Sequence, residues 1–233
     1  MHTELIAGSE FCFGLNESIS KLNDICKLRY HVYCDECNFL NRDDYPYGIE
    51  VDEFDPFSHH FIIEREGELI GTSRLVLDSA LSFPFERYCK GRLTQDISNL
   101  DRTKVAEVSR LIISKSYRRR KKDGLYYSYD NAASVISSKQ DEIDFKRSIR
   151  PLIFGLYREM YKESKRRGIT HWFAIMERSL WRLLNLSGFN FIEIGDEVDV
   201  YGPVRPYMAE LSKIEQELKE NKPEVYKYFC ENN

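Results

Sequence analysis

Residues 150–176 constrain the fold most. Leu152, Ile153, Leu156, Tyr157, Met160 and Tyr161 recur at helical spacing and make one apolar face over 150–167, and Gly168 stops the run. Residues 170–176 (THWFAIM) then form a strand of continuous apolar character. Upstream, Ile19, Leu22, Ile25, Cys26 and Tyr30 predict a helix from about residue 19 to 34, after a short strand at 11–15. Residues 60–64 and 68–77 read as a hairpin turning at Arg65-Glu66-Gly67, and 104–114 as the next strand. Downstream, 179–185 is a short helix, 189–194 and 197–201 are a last strand pair, and 206–233 are C-terminal helices, the first over 208–220. Helix, antiparallel strands, then strand–helix–strand–helix–strands predicts one α+β domain over 1–233, layered α/β/α.

Composition excludes several classes. Of 233 residues, 42% are hydrophobic, enough for a sizeable core, so global disorder is out. The net charge of −4 argues against a general nucleic-acid binder. There is no run of about 18 apolar residues, and the first 15 residues lack the basic start of a secretory leader. The six cysteines then read as reduced thiols, and a cytoplasmic location is expected. Cys34-x-x-Cys37 has no second pair, so no metal site is expected.

Two segments interrupt the regular pattern. Residues 35–57 are irregular and acidic, a loop of the length that serves as a lid. Residues 123–145 are weakly patterned and read as an insertion. The first segment ends in Glu50-x-Asp52-x-x-Asp55, which is either a solvated acidic turn or a carboxylate cluster that binds arginines. Arg29, Arg74 and Arg110 are the candidate partners, since each sits in an otherwise apolar element. Glu107 and Arg110 lie three apart on one strand, so they face opposite sides unless a bulge re-aims one of them.

In this order, Arg29, Tyr33, Phe39, Glu50, Asp52, Asp55, Arg74, Glu107 and Arg110 resemble the signature of the acyl-homoserine-lactone (autoinducer) synthases. The related N-acyl amino acid synthases and an exosortase-associated acyltransferase group are similar too, the latter at Ala106–Arg110, Gly168–Trp172 and Met176-Glu177-Arg178. The resemblance implies a GNAT acyltransferase fold with a mixed, splayed central sheet. It also implies N-acyl transfer from acyl carrier protein, or from acyl-coenzyme A, to a small amine, with no permanently bound cofactor. Phe39 stands where the family has Trp, and Tyr33 where it usually has Phe. Both changes lie where an acceptor pocket is expected. They favour an amino-acid-like acceptor; the alternatives are a lactone synthase that uses S-adenosylmethionine and a non-catalytic GNAT-fold binding protein.

The chemistry expected is direct attack of an amine on a thioester, with Glu107 or Glu50 as base and a backbone N–H of strand 105–113 at the oxyanion. Phe173, Ile175, Leu180, Leu183, Leu184, Phe189 and Phe191 are candidates for an acyl tunnel or for plain core. Where GNAT enzymes carry a Gly-x-Gly pyrophosphate loop, this chain has Arg118, Arg119, Arg120, Lys121 and Lys122. That run is read as a docking patch for an acidic carrier protein.

Overall fold

The computed structural model describes residues 11–117 and 150–231. Its strands are β1 (Phe11–Leu15), β2 (Ser58–Arg65), β3 (Glu68–Leu77), β4 (Val105–Ile113), β5 (His171–Met176), β6 (Ile192–Glu193), β7 (Val198–Asp199) and β8 (Pro203–Glu210). The α-helices are α1 (Ile19–Tyr30), α2 (Pro84–Tyr88), α3 (Arg150–Arg167), α4 (Arg178–Leu186), α5 (Leu211–Asn221) and α6 (Pro223–Tyr226). The sheet runs β1-β2-β3-β4-β5-β8-β6, with β7 also on β8. Among the described residues only the β4–β5 pairing is parallel. The β2–β3 hairpin turns at Glu66 and Gly67, both at positive φ, as a tight turn between twisted strands requires.

Alternation along the strands separates two faces. Ala106, Val108, Trp172, Ala174 and Met176 point at α3, whose six sequence-predicted apolar residues are all at most 3% exposed. Gly155 is the contact point between α3 and β1, because the Phe13 ring fills the place a Cβ would need. The other face holds a second cluster in which Phe83 and Phe85 pack on Val105, Phe173 and Ile194. Arg29 of α1 and Glu107 and Arg74 of the sheet are buried on this face too. Helices on both faces make the α/β/α layering expected from the sequence.

The sheet is splayed at its centre. β4 and β5 pair from Val105↔His171 to Val108↔Ala174 and no farther, although both strands continue. A bulge accompanies the parting. Thr72 faces Ile112 and Arg74 faces Ser109, so Arg110 and Leu111 together oppose Ser73 alone. Arg110 takes φ 53°, a left-handed conformation that costs a side-chain-bearing residue of order 1 kcal/mol or more.

Several elements differ from the sequence reading. Residues 206–210 belong to β8, not to a helix, and helix α5 begins only at Leu211. Pro203 and Pro206 break the usual strand signature, which hides β8 in the sequence. Residues 192–193 and 198–199 do not pair with each other, because both pair with β8. Helix α1 ends at Tyr30 and passes into a π-helical turn, His31–Glu36. The segment 35–57 carries short 3₁₀ turns at Arg42–Asp44 and Asp55–Phe57. The run 118–122 and the insertion 123–145 lie outside the described residues.

Candidate active site

The acidic turn and the three arginines form one network. Arg29 of α1 binds Glu50 through Nε and Asp55 through Nη1 (2.6 Å) and Nη2 (3.2 Å). Arg74 of β3 donates to Asp52 Oδ1 (2.6 Å), Asp52 Oδ2 (2.7 Å), Asp55 Oδ1 (2.6 Å) and Ser109 Oγ (2.9 Å). Arg110 completes it, donating to Glu50 Oε1 (2.9 Å) and Asp52 Oδ2 (2.8 Å) from Nη2. The turn is locked locally as well: Asp52 N–H donates to Asp55 Oδ2 (2.9 Å), and Phe54 N–H to Asp52 Oδ1 (3.0 Å). Three guanidinium groups against three carboxylates leave the cluster near neutrality, which is what permits its burial.

The carboxylates respond accordingly. Burial by itself would raise Glu50, but Arg110 and Arg29 hold it below the usual carboxylate range. Asp52 and Asp55 are lowered in the same way, against burial, by Arg74 and by Arg29 respectively. His60 of β2 lies 3.7 Å from Asp55, and burial lowers it to about 4, so it adds no charge near neutral pH.

Beside the network, the parted strands enclose a cavity of about 190 Å³. One wall is apolar, built from Val108, Leu111, Tyr157, Ala174, Met176 and Leu180. Glu107, Ser109, Arg110 and Glu177 supply its polar and charged lining. Tyr33, Phe39, Tyr88 and Tyr201 line the remainder, with Phe39 and Tyr201 stacked at 6.1 Å. The bulge explains how Glu107 and Arg110, three apart, reach the same space. Glu107 is 2% exposed and accepts the Phe85 N–H at 2.9 Å. Burial pushes it up to about 8, against that hydrogen bond and the positive charge of Arg74 and Arg110. Arg110 spends Nε and Nη2 on the network, while its Nη1 donates no hydrogen bond among the described residues.

Residues 28–127 match the model of a family described as an acetyltransferase (GNAT) domain. The chain has the GNAT fold. A comparison with curated protein sequences gives no match. Among solved structures it is similar to the acyl-homoserine-lactone synthase LasI (15% identity, 88% of this chain and 91% of that one, TM-score 0.61). It is also similar to FeeM, an N-acyl amino acid synthase from uncultured soil microbes (12% identity, 89% and 94% of the chains, TM-score 0.54). A third is MesI, a coenzyme A-dependent acyl-homoserine-lactone synthase (18% identity, 89% and 94%, TM-score 0.57). These likenesses extend the GNAT fold over most of the chain, beyond the segment that the family model matches.

The sequence-selected residues divide into two groups. Arg29, Glu50, Asp52, Asp55, Arg74 and Arg110 meet in the network, and Glu107, Arg110, Tyr33 and Phe39 line the cavity. Glu50 is fully buried behind Arg110 and is not part of the cavity wall. Of the tunnel candidates, Ile175 and Leu180 line the cavity, whereas Phe173, Leu183, Leu184, Phe189 and Phe191 pack in the two cores. Glu177, Ser109, Tyr88 and Tyr201 carried no assigned role in the sequence. For Glu177 a signal existed: a carboxylate placed directly after an apolar strand, before a helix.

Proposed function

We propose that this chain transfers a fatty acyl group from a thioester donor to the amine of a small amino acid. The observation that carries the reading is Glu107, a carboxyl raised to about 8 in the wall of a half-apolar cavity between parted strands of a GNAT sheet. Similarity to structures of both acyl-homoserine-lactone and N-acyl amino acid synthases supports acyl transfer. In this reading the apolar wall holds the acyl chain. Arg110 Nη1 receives the acceptor's carboxylate, and Glu107 takes the proton from its amine. In this reading the thioester and the phosphopantetheine arm enter the gap where β4 parts from β5 beyond Val108. Glu50, Asp52, Asp55, Arg29 and Arg74 act as positioning residues that fix Arg110.

Acyl carrier protein is the proposed donor. The sequence supports this through Arg118–Lys122, the densest positive run of an acidic chain, and through the missing Gly-x-Gly. A cytoplasmic setting goes with such a donor. Among the described residues, no helix is long and apolar enough to cross a membrane.

The test is mass spectrometry of products formed from acyl carrier protein or coenzyme A thioesters with the common amino acids and S-adenosylmethionine. A fatty acyl amino acid is the expected product. A lactone would transfer the reading to the autoinducer synthases, and absence of any acylated amine would overturn it. Replacing Arg118, Arg119 and Arg120 by Ala should lower kcat/KM for the carrier-protein donor and flatten its salt dependence.

A further inference from the structure

The N-acyl transfer proposed above needs two proton movements, one off the attacking amine and one onto the departing sulfur. Glu107 serves the first. The network carboxylates cannot serve the second, because arginines hold them ionised. A second carboxyl lies across the gap. Glu177 follows the last residue of β5 with its backbone still extended, at φ −66° and ψ 151°. Phe173, the register partner of Glu107, is four residues earlier, so Phe173, Ile175 and Glu177 alternate onto the face that carries Glu107. Four extended residues place Glu177 about 13 Å farther along the gap, where β5 has left β4. Both carboxyls line the one cavity. Burial raises Glu177 to about 7, against a 3.2 Å hydrogen bond donated by Ser179 Oγ.

We infer that Glu177 is the acid that protonates the departing thiolate of the acyl donor. The inference rests on the N-acyl-transfer reading. Glu107 takes an N–H proton as the amine lone pair forms the C–N bond. The C–S bond then breaks with its electron pair on sulfur, and the Glu177 O–H proton moves to that sulfur. The products are an amide and a free thiol, with Glu107 protonated and Glu177 ionised; exchange with solvent resets both. Because Glu107 and Glu177 line the same cavity, they can flank one tetrahedral carbon, Glu107 on the side of the amine and Glu177 on the side of the sulfur.

The experiment compares Glu177→Gln with the wild type in single turnovers on two donors of the same acyl group. One is the acyl carrier protein thioester, whose alkyl thiolate is a poor leaving group. The other is a nitrophenyl thioester, whose thiolate leaves without a proton. Loss of activity by about 10²- to 10⁴-fold on the carrier-protein thioester, with little change on the aryl thioester, is the expected result. Equal loss on both donors would make Glu177 a merely structural residue and overturn the inference while leaving N-acyl transfer intact. No loss on the carrier-protein thioester would do the same. A wild-type chain that acylates no amine from either donor, nor from acyl-coenzyme A, would overturn the N-acyl-transfer reading and this inference with it.

Discussion

Two groups of buried and half-buried carboxylates sit on one face of the sheet and titrate in opposite directions. Glu50, Asp52 and Asp55 are lowered, whereas Glu107 and Glu177 are raised. All five are subject to desolvation, so burial does not distinguish them. Direct hydrogen bonds from guanidinium groups do: every network carboxylate has one, and among the described residues neither cavity carboxyl does. Arg110 belongs to both regions, with two nitrogens turned to the network and one left over beside the cavity. A paired cluster of this kind sets the position of a strand and a turn. An unpaired carboxyl keeps a proton that can be exchanged near neutral pH, which is a chemical capability.

The largest expected effect comes from breaking the pairing. Arg74→Ala leaves Asp52 and Asp55 each short of a partner in a buried site, and should cost about 3–5 kcal/mol in chemical denaturation. A cost below about 1 kcal/mol would mean that the network behaves as an exposed surface cluster.

Glu107→Gln should act on the other region alone. Turnover should fall about 10²- to 10⁴-fold with no loss of stability, measured by kcat beside a urea midpoint. A variant that loses stability instead would make Glu107 structural.

The pH dependence separates the two regions by sign. For the network, folded carboxylates lie below their unfolded values, so stability is present above the ordinary carboxylate range and is lost as pH falls through and below it. For Glu107 the folded group holds its proton up to about 8, so stability declines as pH rises from about 4.5 to about 8. Denaturation across this range should show that decline in the wild type and less of it in Glu107→Gln. kcat/KM should peak between about pH 7 and 8, rising as Glu107 becomes a competent base and falling as Glu177 loses its proton.

The smallest effect concerns the aromatic lining. Phe39→Ala removes the stack on Tyr201 and should raise the acceptor's KM by about 2- to 12-fold, the equivalent of about 0.5–1.5 kcal/mol. An unchanged KM would place the acceptor elsewhere.

Much of this organisation was legible in the sequence, for identifiable reasons. The α3 stripe is periodic over a long run and β5 is continuously apolar, and the structure keeps the bounds of α3 as read. Arg29, Arg74 and Arg110 declared themselves as charges in apolar elements, which need partners. What stayed hidden depends on tertiary context. β8 is interrupted by two prolines, and 83–100 packs a second core from Phe83 and Phe85 without periodicity. In the sequence Glu50 is as good a candidate base as Glu107. Only its burial between Arg29 and Arg110 shows that it cannot easily take up a proton. Glu177 has the opposite history, since only the parting of β4 from β5 gives it a cavity to face.

The most direct measurement is an NMR titration of protein labelled at the glutamate side-chain carboxyl carbons, with Glu107→Gln used to assign the Glu107 resonance. The account predicts that Glu107 titrates near 8, while Glu50 titrates below the ordinary carboxylate range. A Glu107 resonance that titrates near 4.5 would contradict it, because the cavity would then hold an ordinary ionised carboxylate and the contrast between the two regions would disappear.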